Sequence, residues 1–168
     1  MKFELQTEQV PVFAKDMSLG FFIRKFPEFV PLVNKMRSLL PDGYTNYLVD
    51  LVVTNCRPGV KTCKDTRWHV DGDFLGNNVY VLWAKGPNRT QFPRVVPDLD
   101  MPENRNDQSI YLENLGLDGV EVDDQTIVRY SSQTPHRGVV CKESGFRTFV
   151  RMMATNTISP KNIIKEKI

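Results

Sequence analysis

The stretch TRWHVDGDF, residues 66–74, holds one of only two histidines in the chain, and Asp71 follows His69 two places on. An imidazole and a carboxylate at that spacing are either half of a metal site or ordinary surface polarity. In an extended strand, side chains two apart share a face. If residues 66–71 are extended, Arg67, His69 and Asp71 point one way, and Trp68 and Val70 the other. His69 and Asp71 then supply two of the three ligands of a two-histidine, one-carboxylate site, the donor set that leaves positions open on non-haem Fe(II). His136, the other histidine, opens the run HRGVVC after apolar TIVRY and a short SSQTP turn. It is the remaining candidate for the third ligand.

The segment FRTFVRMMA, 146–154, carries two arginines four apart. On a strand, Arg147 and Arg151 share a face with Phe149 and Met153. An arginine on an inner face is costly unless an anion meets it. Its planar fork suits a carboxylate. Periodicity leaves the opposite register open, with the arginines outside and Phe146, Thr148, Val150 and Met152 inside.

These residues need elements to hold them. Residues 3–13 alternate loosely and read as an edge strand limited by Pro11. The segment that follows reads as a helix. Phe29, Leu32, Val33, Met36 and Leu40 recur at helical spacing, Pro27 and Pro31 put its start near residue 28, and Pro41-Asp42-Gly43 stops it. Strands are expected at 47–55, 66–70, 78–84, 125–130, 136–141 and 146–154, separated by turn signals such as Arg57-Pro58-Gly59 and Gly86-Pro87-Asn88. A flanking N-terminal helix before many short strands implies a mainly β fold, a sandwich or jelly roll. Residues 87–117 are Pro-rich and polar, the pattern of a lid, a binding loop or disorder. The tail SPKNIIKEKI reads as helix or frayed end.

The bulk numbers suit one soluble domain over 1–168, with a core at about 47–154 and an N-terminal strand and helix in 1–43. The chain is 40% apolar and 25% charged with a net charge of +2, too weak an excess to mark a dedicated nucleic-acid binder. Cys56, Cys63 and Cys141 are odd in number and form no CxxC pair, which points to reduced thiols in a cytoplasmic protein. The opening MKFELQTEQV lacks an apolar signal region, and no run of about 18 apolar residues would span a membrane.

Taken in order, HVD (69–71), GPNRTQF (86–92), QTIVRYSSQTPHRGV (125–139) and GFRTFVRM (145–152) resemble the Fe(II)/2-oxoglutarate-dependent oxygenases. The resemblance covers roughly residues 47–154. It implies a double-stranded β-helix, the cupin-like jelly roll. It also implies Fe(II) on His69, Asp71 and His136, and the distal carboxylate of 2-oxoglutarate on Arg147, eleven positions after His136. Arg151 matches a position that in some members touches the cosubstrate or an anionic substrate. A core tyrosine such as Tyr130 would hydrogen-bond the cosubstrate. The implied chemistry is oxidative decarboxylation with O2, leading to hydroxylation or demethylation of a substrate. The chain departs from the pattern in its small size and in Phe149, which stands where many members have a serine.

Arg57, Lys61, Lys64 and Arg67 cluster before the HVD motif, with Arg89 and Arg94 in the expected lid. Near the mouth of a barrel they would favour a nucleotide, a nucleic acid or an acidic metabolite. The bland alternative is a solvated basic loop. Two other functions stay open: a cupin-type metalloenzyme that does not use 2-oxoglutarate, and a non-enzymatic binding or inhibitory jelly roll with a vestigial metal site. A zinc hydrolase ranks last, because no glutamate close in sequence to these ligands offers itself as a general base.

Overall fold

The computed structural model describes residues 1–165. Its main element is a six-stranded antiparallel sheet in the order β6-β3-β7-β2-β1-β8. The strands are β1 (Val12–Ser18), β2 (Asn46–Cys56), β3 (Val79–Lys85), β6 (Thr126–Ser131), β7 (Gly145–Thr155) and β8 (Ile163–Lys165). A short ladder of β4 (Gln91–Pro93) with β5 (Gly119–Glu121) starts a second, narrower layer. Single bridges extend that layer from Gln91 to Arg137, from His136 to His69, and from Val140 to Lys61. The strand order and the second layer fit a cupin-like jelly-roll fold.

Both faces of the main sheet are covered. Val49, Leu51 and Val53 of β2 and Val150, Met152 and Ala154 of β7 pack with Phe22, Leu32, Val33 and Met36 of the N-terminal helices. The other face presents Leu48, Tyr80, Leu82, Tyr130 and Met153. It also presents Asp50, Val52, Thr54, Arg147, Phe149 and Arg151 to a cavity. This decides the register of β7: the arginine face looks into the molecule toward the second layer, and the Val150 face packs on helices.

The N-terminal region departs from the sequence reading. Residues 3–11 form no strand; β1 begins at Val12, directly after Pro11, which has no N–H to give to a ladder. The preceding chain is held by scattered contacts: the Phe3 N–H donates to the Gln125 carbonyl at 2.7 Å, the Trp83 indole donates to the Phe3 carbonyl at 2.8 Å, and Lys85 donates to that of Leu5 at 2.8 Å. The single expected helix is two. The first, α1 (Leu19–Lys25), is capped by Ser18, whose hydroxyl accepts from the Phe21 N–H at 3.3 Å. Pro27 then breaks the helix into one 3-10 turn before α2 (Val30–Ser38). The tail reading also fails: Ile163–Lys165 is β8, paired antiparallel with β1. Residues 166–168 lie outside the described part of the chain.

The segment 87–117 is less irregular than its composition implies. It holds β4 and α3 (Arg105–Asn114). Leu112 of α3 packs on Trp68 and Val70, the side of that segment turned away from His69. Of residues 87–117 only Thr90 lines the cavity. Among the described residues no helix is long and apolar enough to cross a membrane.

Candidate active site

The two segments that carry the histidines meet across the second layer. His69 N–H donates to the His136 carbonyl at 3.0 Å, and His136 N–H returns to His69 at 2.9 Å. This reciprocal pair puts the two rings side by side, with centroids 4.6 Å apart. Asp71 lies two residues beyond His69, and Gly72 follows with φ near +69°, where an added Cβ would come within 3.0 Å of the Tyr80 hydroxyl. The turn that aims Asp71 inward therefore needs glycine. One ligand atom from each of His69, Asp71 and His136 lies within 4.8 Å of the others.

The donor chemistry of this trio fits a metal ion. His69 Nδ1 lies 2.9 Å from the Arg67 carbonyl, and His136 Nδ1 lies 3.1 Å from that of Thr134. A carbonyl only accepts, so each Nδ1 carries the hydrogen and each Nε2 keeps its lone pair. His136 Nε2 lies 3.2 Å from Asp71 Oδ2. Two lone-pair atoms at that distance need a cation between them, a proton on Nε2 or a metal. Burial, with the neighbouring His136 second, pulls the His69 pKa below its usual value and favours the neutral ligand form.

Asp71 is held as a carboxylate. Its burial alone would favour the protonated form, but the Arg151 charge, the neighbouring His136 ring and the hydrogen bond from Tyr130 outweigh it and hold the group well below the usual carboxylate range. All these contacts fall on Oδ2: Arg151 Nη1 at 2.7 Å and the Tyr130 hydroxyl at 2.9 Å. Arg151 also grips Asp50 Oδ2 with Nε at 3.1 Å and Nη2 at 2.6 Å. Asp50 Oδ1 in turn accepts from the Asp16 N–H at 2.8 Å, at a bulge in β1 where Asp16 has φ near +51°. Arg151, expected at the cosubstrate or an anionic substrate, and Tyr130, expected at the cosubstrate, thus spend their polar groups on Asp71 and its neighbour Asp50.

Arg147 is in the opposite condition. It is 4% exposed, yet no carboxylate among the described residues comes within 4 Å of it. Among the described residues its guanidinium makes one long hydrogen bond, Nη2 to Thr90 Oγ1 at 3.4 Å, and its Nε has no partner. Burial pulls the guanidinium pKa down from its ordinary value. Arg147 lines the same cavity of about 620 Å³ as His69, Asp71 and His136.

The basic residues proposed from sequence divide. Arg67 is paired with Asp65 at 3.0 Å, Arg89 with Glu121 at 3.2 Å and Arg94 with Asp118 at 2.9 Å. Arg57 does not line the cavity, whereas Lys61 and Lys64 do. Lys15 joins them from β1, a strand the sequence reading placed too early in the chain. Among the described residues these three lysines have no carboxylate within 4 Å. Asp50 was also missed. Its signal was present, an acid inside the apolar run YLVDLVV.

No family model matches the chain, and no curated protein matches it in sequence. Solved structures do resemble it. EvdMO1 superposes with a TM-score of 0.52 at 13% identity, over 94% of this chain and 38% of its own. AviO1 from Streptomyces viridochromogenes Tue57 superposes with a TM-score of 0.52 at 11% identity, over 97% of this chain and 76% of its own. The chain thus spans well under half the length of EvdMO1. At such identities the likeness is one of fold, a β-rich architecture consistent with the cupin-like arrangement of the sheets.

Proposed function

We propose that this protein is an Fe(II)- and 2-oxoglutarate-dependent dioxygenase built on a double-stranded β-helix. The observation that carries the reading is Arg147, a buried cation with no anion, in one cavity with a His-Asp-His trio. Either feature alone has an ordinary explanation. Together they supply the two things a chelating keto acid with a distant carboxylate requires.

In this reading His69, Asp71 and His136 hold Fe(II), and Arg147 holds the distal carboxylate. The metal with its cosubstrate and O2 supplies the oxidising chemistry that ends in hydroxylation or demethylation. The chain does the rest. The backbone carbonyls of Arg67 and Thr134 fix both imidazoles with Nε2 inward. Tyr130 and Arg151 hold Asp71 ionised through hydrogen bonds to its Oδ2, so that a carboxylate would be available to the metal. Val52, Leu82 and Phe149 give the cavity an apolar wall that limits water near a reactive centre. The substrate class this reading favours is anionic, a nucleotide, nucleic acid or acidic metabolite, since Lys15, Lys61 and Lys64 remain at the cavity after Arg147 and Arg151 are assigned.

The test is an anaerobic titration with Fe(II) and 2-oxoglutarate, watched for the weak visible metal-to-ligand charge-transfer band. The wild type should form the band, His136→Ala should not, and Arg147→Ala should need far more 2-oxoglutarate. A folded wild type without a band rejects the proposal and leaves a cupin metalloenzyme of another kind or a binding protein.

A further inference from the structure

The arginine that holds Asp71 is itself a difficulty for a metal site. Arg151 Nη1 lies 2.7 Å from Asp71 Oδ2, so a full positive charge stands against a ligand that must attract a cation. Left alone, the guanidinium would repel a divalent ion. Asp50 removes that conflict. Its Oδ2 accepts from Arg151 Nε at 3.1 Å and Nη2 at 2.6 Å, from the rung directly opposite on β2. Two carboxylates around one guanidinium leave the group with one negative charge, the charge of Asp71 by itself. Arg151 can then orient Asp71 without cancelling it.

Asp50 is fixed in turn by a clasp at the β1 side of the sheet. Between Ala14, opposite Leu51, and Met17, opposite Val49, two residues of β1 face Asp50 alone. This bulge gives the Asp16 N–H to Asp50 Oδ1 at 2.8 Å. Bulges often re-aim groups beside active sites. The Asp16 carbonyl accepts from the Lys161 and Asn162 N–H groups at 2.8 and 3.1 Å, and the Asn162 side chain accepts from the Ser18 N–H at 3.0 Å. Asp16 and Asn162 have φ near +51° and +50°, two of the four non-glycine residues in the left-handed region among the described residues. That conformation is costly for a residue with a side chain and persists where surrounding contacts impose it. Here two such residues meet on one carbonyl, at the point from which Asp50 is held.

We propose that Asp50 is a positioning residue for the metal site, cancelling the Arg151 charge so that Asp71 keeps its own for a divalent ion. Asp50 bonds to Arg151 and Asp16 and not to the His-Asp-His trio, so it acts through Arg151. The proposal rests on the metal half of the proposed function and is indifferent to the cosubstrate.

The experiment measures Mn(II) binding to the full chain without cosubstrate, from the electron paramagnetic resonance signal of free Mn(II). It compares the wild type, Asp50→Asn and the double variant Asp50→Asn/Arg151→Gln. Asp50→Asn keeps the size of the side chain and removes its charge, so the guanidinium faces Asp71 uncancelled. Mn(II) should bind at least about ten-fold more weakly. The double variant removes both charges and keeps an N–H donor for Asp71. Its affinity should return to within about three-fold of the wild type, although it carries one more substitution. A residue that only supported the fold would give the reverse order, with the double variant weakest. Asp50→Asn that binds Mn(II) like the wild type, or a double variant no better than Asp50→Asn, overturns the proposal and leaves the proposed function standing. If Asp50→Asn alone does not fold, the double variant decides. Mn(II) binding near the wild-type level supports the proposal, and a double variant that does not fold or binds at least about ten-fold more weakly overturns it. A wild type that binds Mn(II) but takes up no 2-oxoglutarate rejects the proposed function and leaves the role of Asp50 to the variants. A wild type that binds no Mn(II) rejects both.

Discussion

The two ends of the cavity are built on the same pair of strands and solve opposite problems. Three inward rungs of β2 and β7 lie in sequence: Asp50 opposite Arg151, Val52 opposite Phe149, and Thr54 opposite Arg147. At the first rung the arginine is paired twice over, with Asp50 at 2.6 Å and Asp71 at 2.7 Å. At the third, four residues away on the same face, an even more deeply buried arginine meets hydroxyls and no acid. Residue type, strand and face are the same, so none of them explains the contrast. The difference lies in what the opposite strand offers. A buried charge with its counter-ion is a finished piece of structure, and one without it stores a desolvation cost that a ligand can relieve.

The largest test of this contrast is the sign of two stability changes. Arg151→Leu strands the Asp50 and Asp71 carboxylates in a buried site. Breaking a buried pair this way costs about 3–5 kcal/mol, to be read from urea unfolding of the ligand-free protein. Arg147→Met removes a buried cation that has no counter-ion and keeps most of the side-chain volume. It should leave stability unchanged or raise it by roughly 1 kcal/mol. Equal losses in the two variants would show that Arg147 is as much a structural residue as Arg151, and would remove the contrast.

The metal end gives a second, smaller effect. An ion bound only by the folded state adds about 2.7 kcal/mol when its free concentration is 100 times its dissociation constant. Saturating Mn(II), a redox-quiet stand-in for Fe(II), should raise the wild-type melting temperature accordingly and leave His136→Ala unmoved. Arg147→Met should respond like the wild type, because its side chain lies at the other end. A metal response lost in Arg147→Met would mean that the two ends are not separate sites.

The finished end and the waiting end were not equally legible in the sequence. The β-branched, apolar runs that became β2, β3, β6 and β7 are strong local signals, and so was the shared face of Arg147 and Arg151. The His69, Asp71 and His136 trio came from residue type and spacing. What paired Arg151 did not. Asp50 lies 101 residues away in the chain, and no local pattern reports which rung it will oppose. Thr54 and Thr90 carried no signal at all, since threonine is an ordinary strand residue. The second layer shows another limit. Residues 66–70 and 136–141 read as strands, but single bridges rather than ladders tie them, at His69–His136, Gln91–Arg137 and Lys61–Val140. In the N-terminal region and the tail, Pro11, Pro27 and the β8–β1 contact reset boundaries that composition had blurred.

The smallest effect concerns what lies behind the waiting end. One residue beyond Asn55, Cys56 stands opposite Gly145 where β2 finishes and β7 begins, and Cys56 and Cys141 are both buried free thiols. Burial, helped by the hydrogen bond between the two thiols, pushes the Cys56 pKa up to about 11. Arg147 therefore faces a neutral Cys56 thiol near neutral pH and keeps its charge available, whereas Arg151 faces the ionised Asp71. A group whose folded pKa is raised above its unfolded value, about 8.5 for a thiol, contributes stability that is present below that pH. The contribution is lost as pH rises through the folded value, because the unfolded chain releases its proton first. The wild type should accordingly lose stability between about pH 8.5 and 11 with a steeper slope than Cys56→Ala, by at most about 1.4 kcal/mol per pH unit. The alanine variant starts from a lower stability because it leaves a cavity, so the slopes of unfolding free energy against pH are compared rather than their heights. Parallel slopes would mean that Cys56 ionises as readily in the folded protein as in the unfolded one. A thiolate would then stand near Arg147 in alkali, and its charge would compete with the carboxylate that Arg147 is proposed to hold.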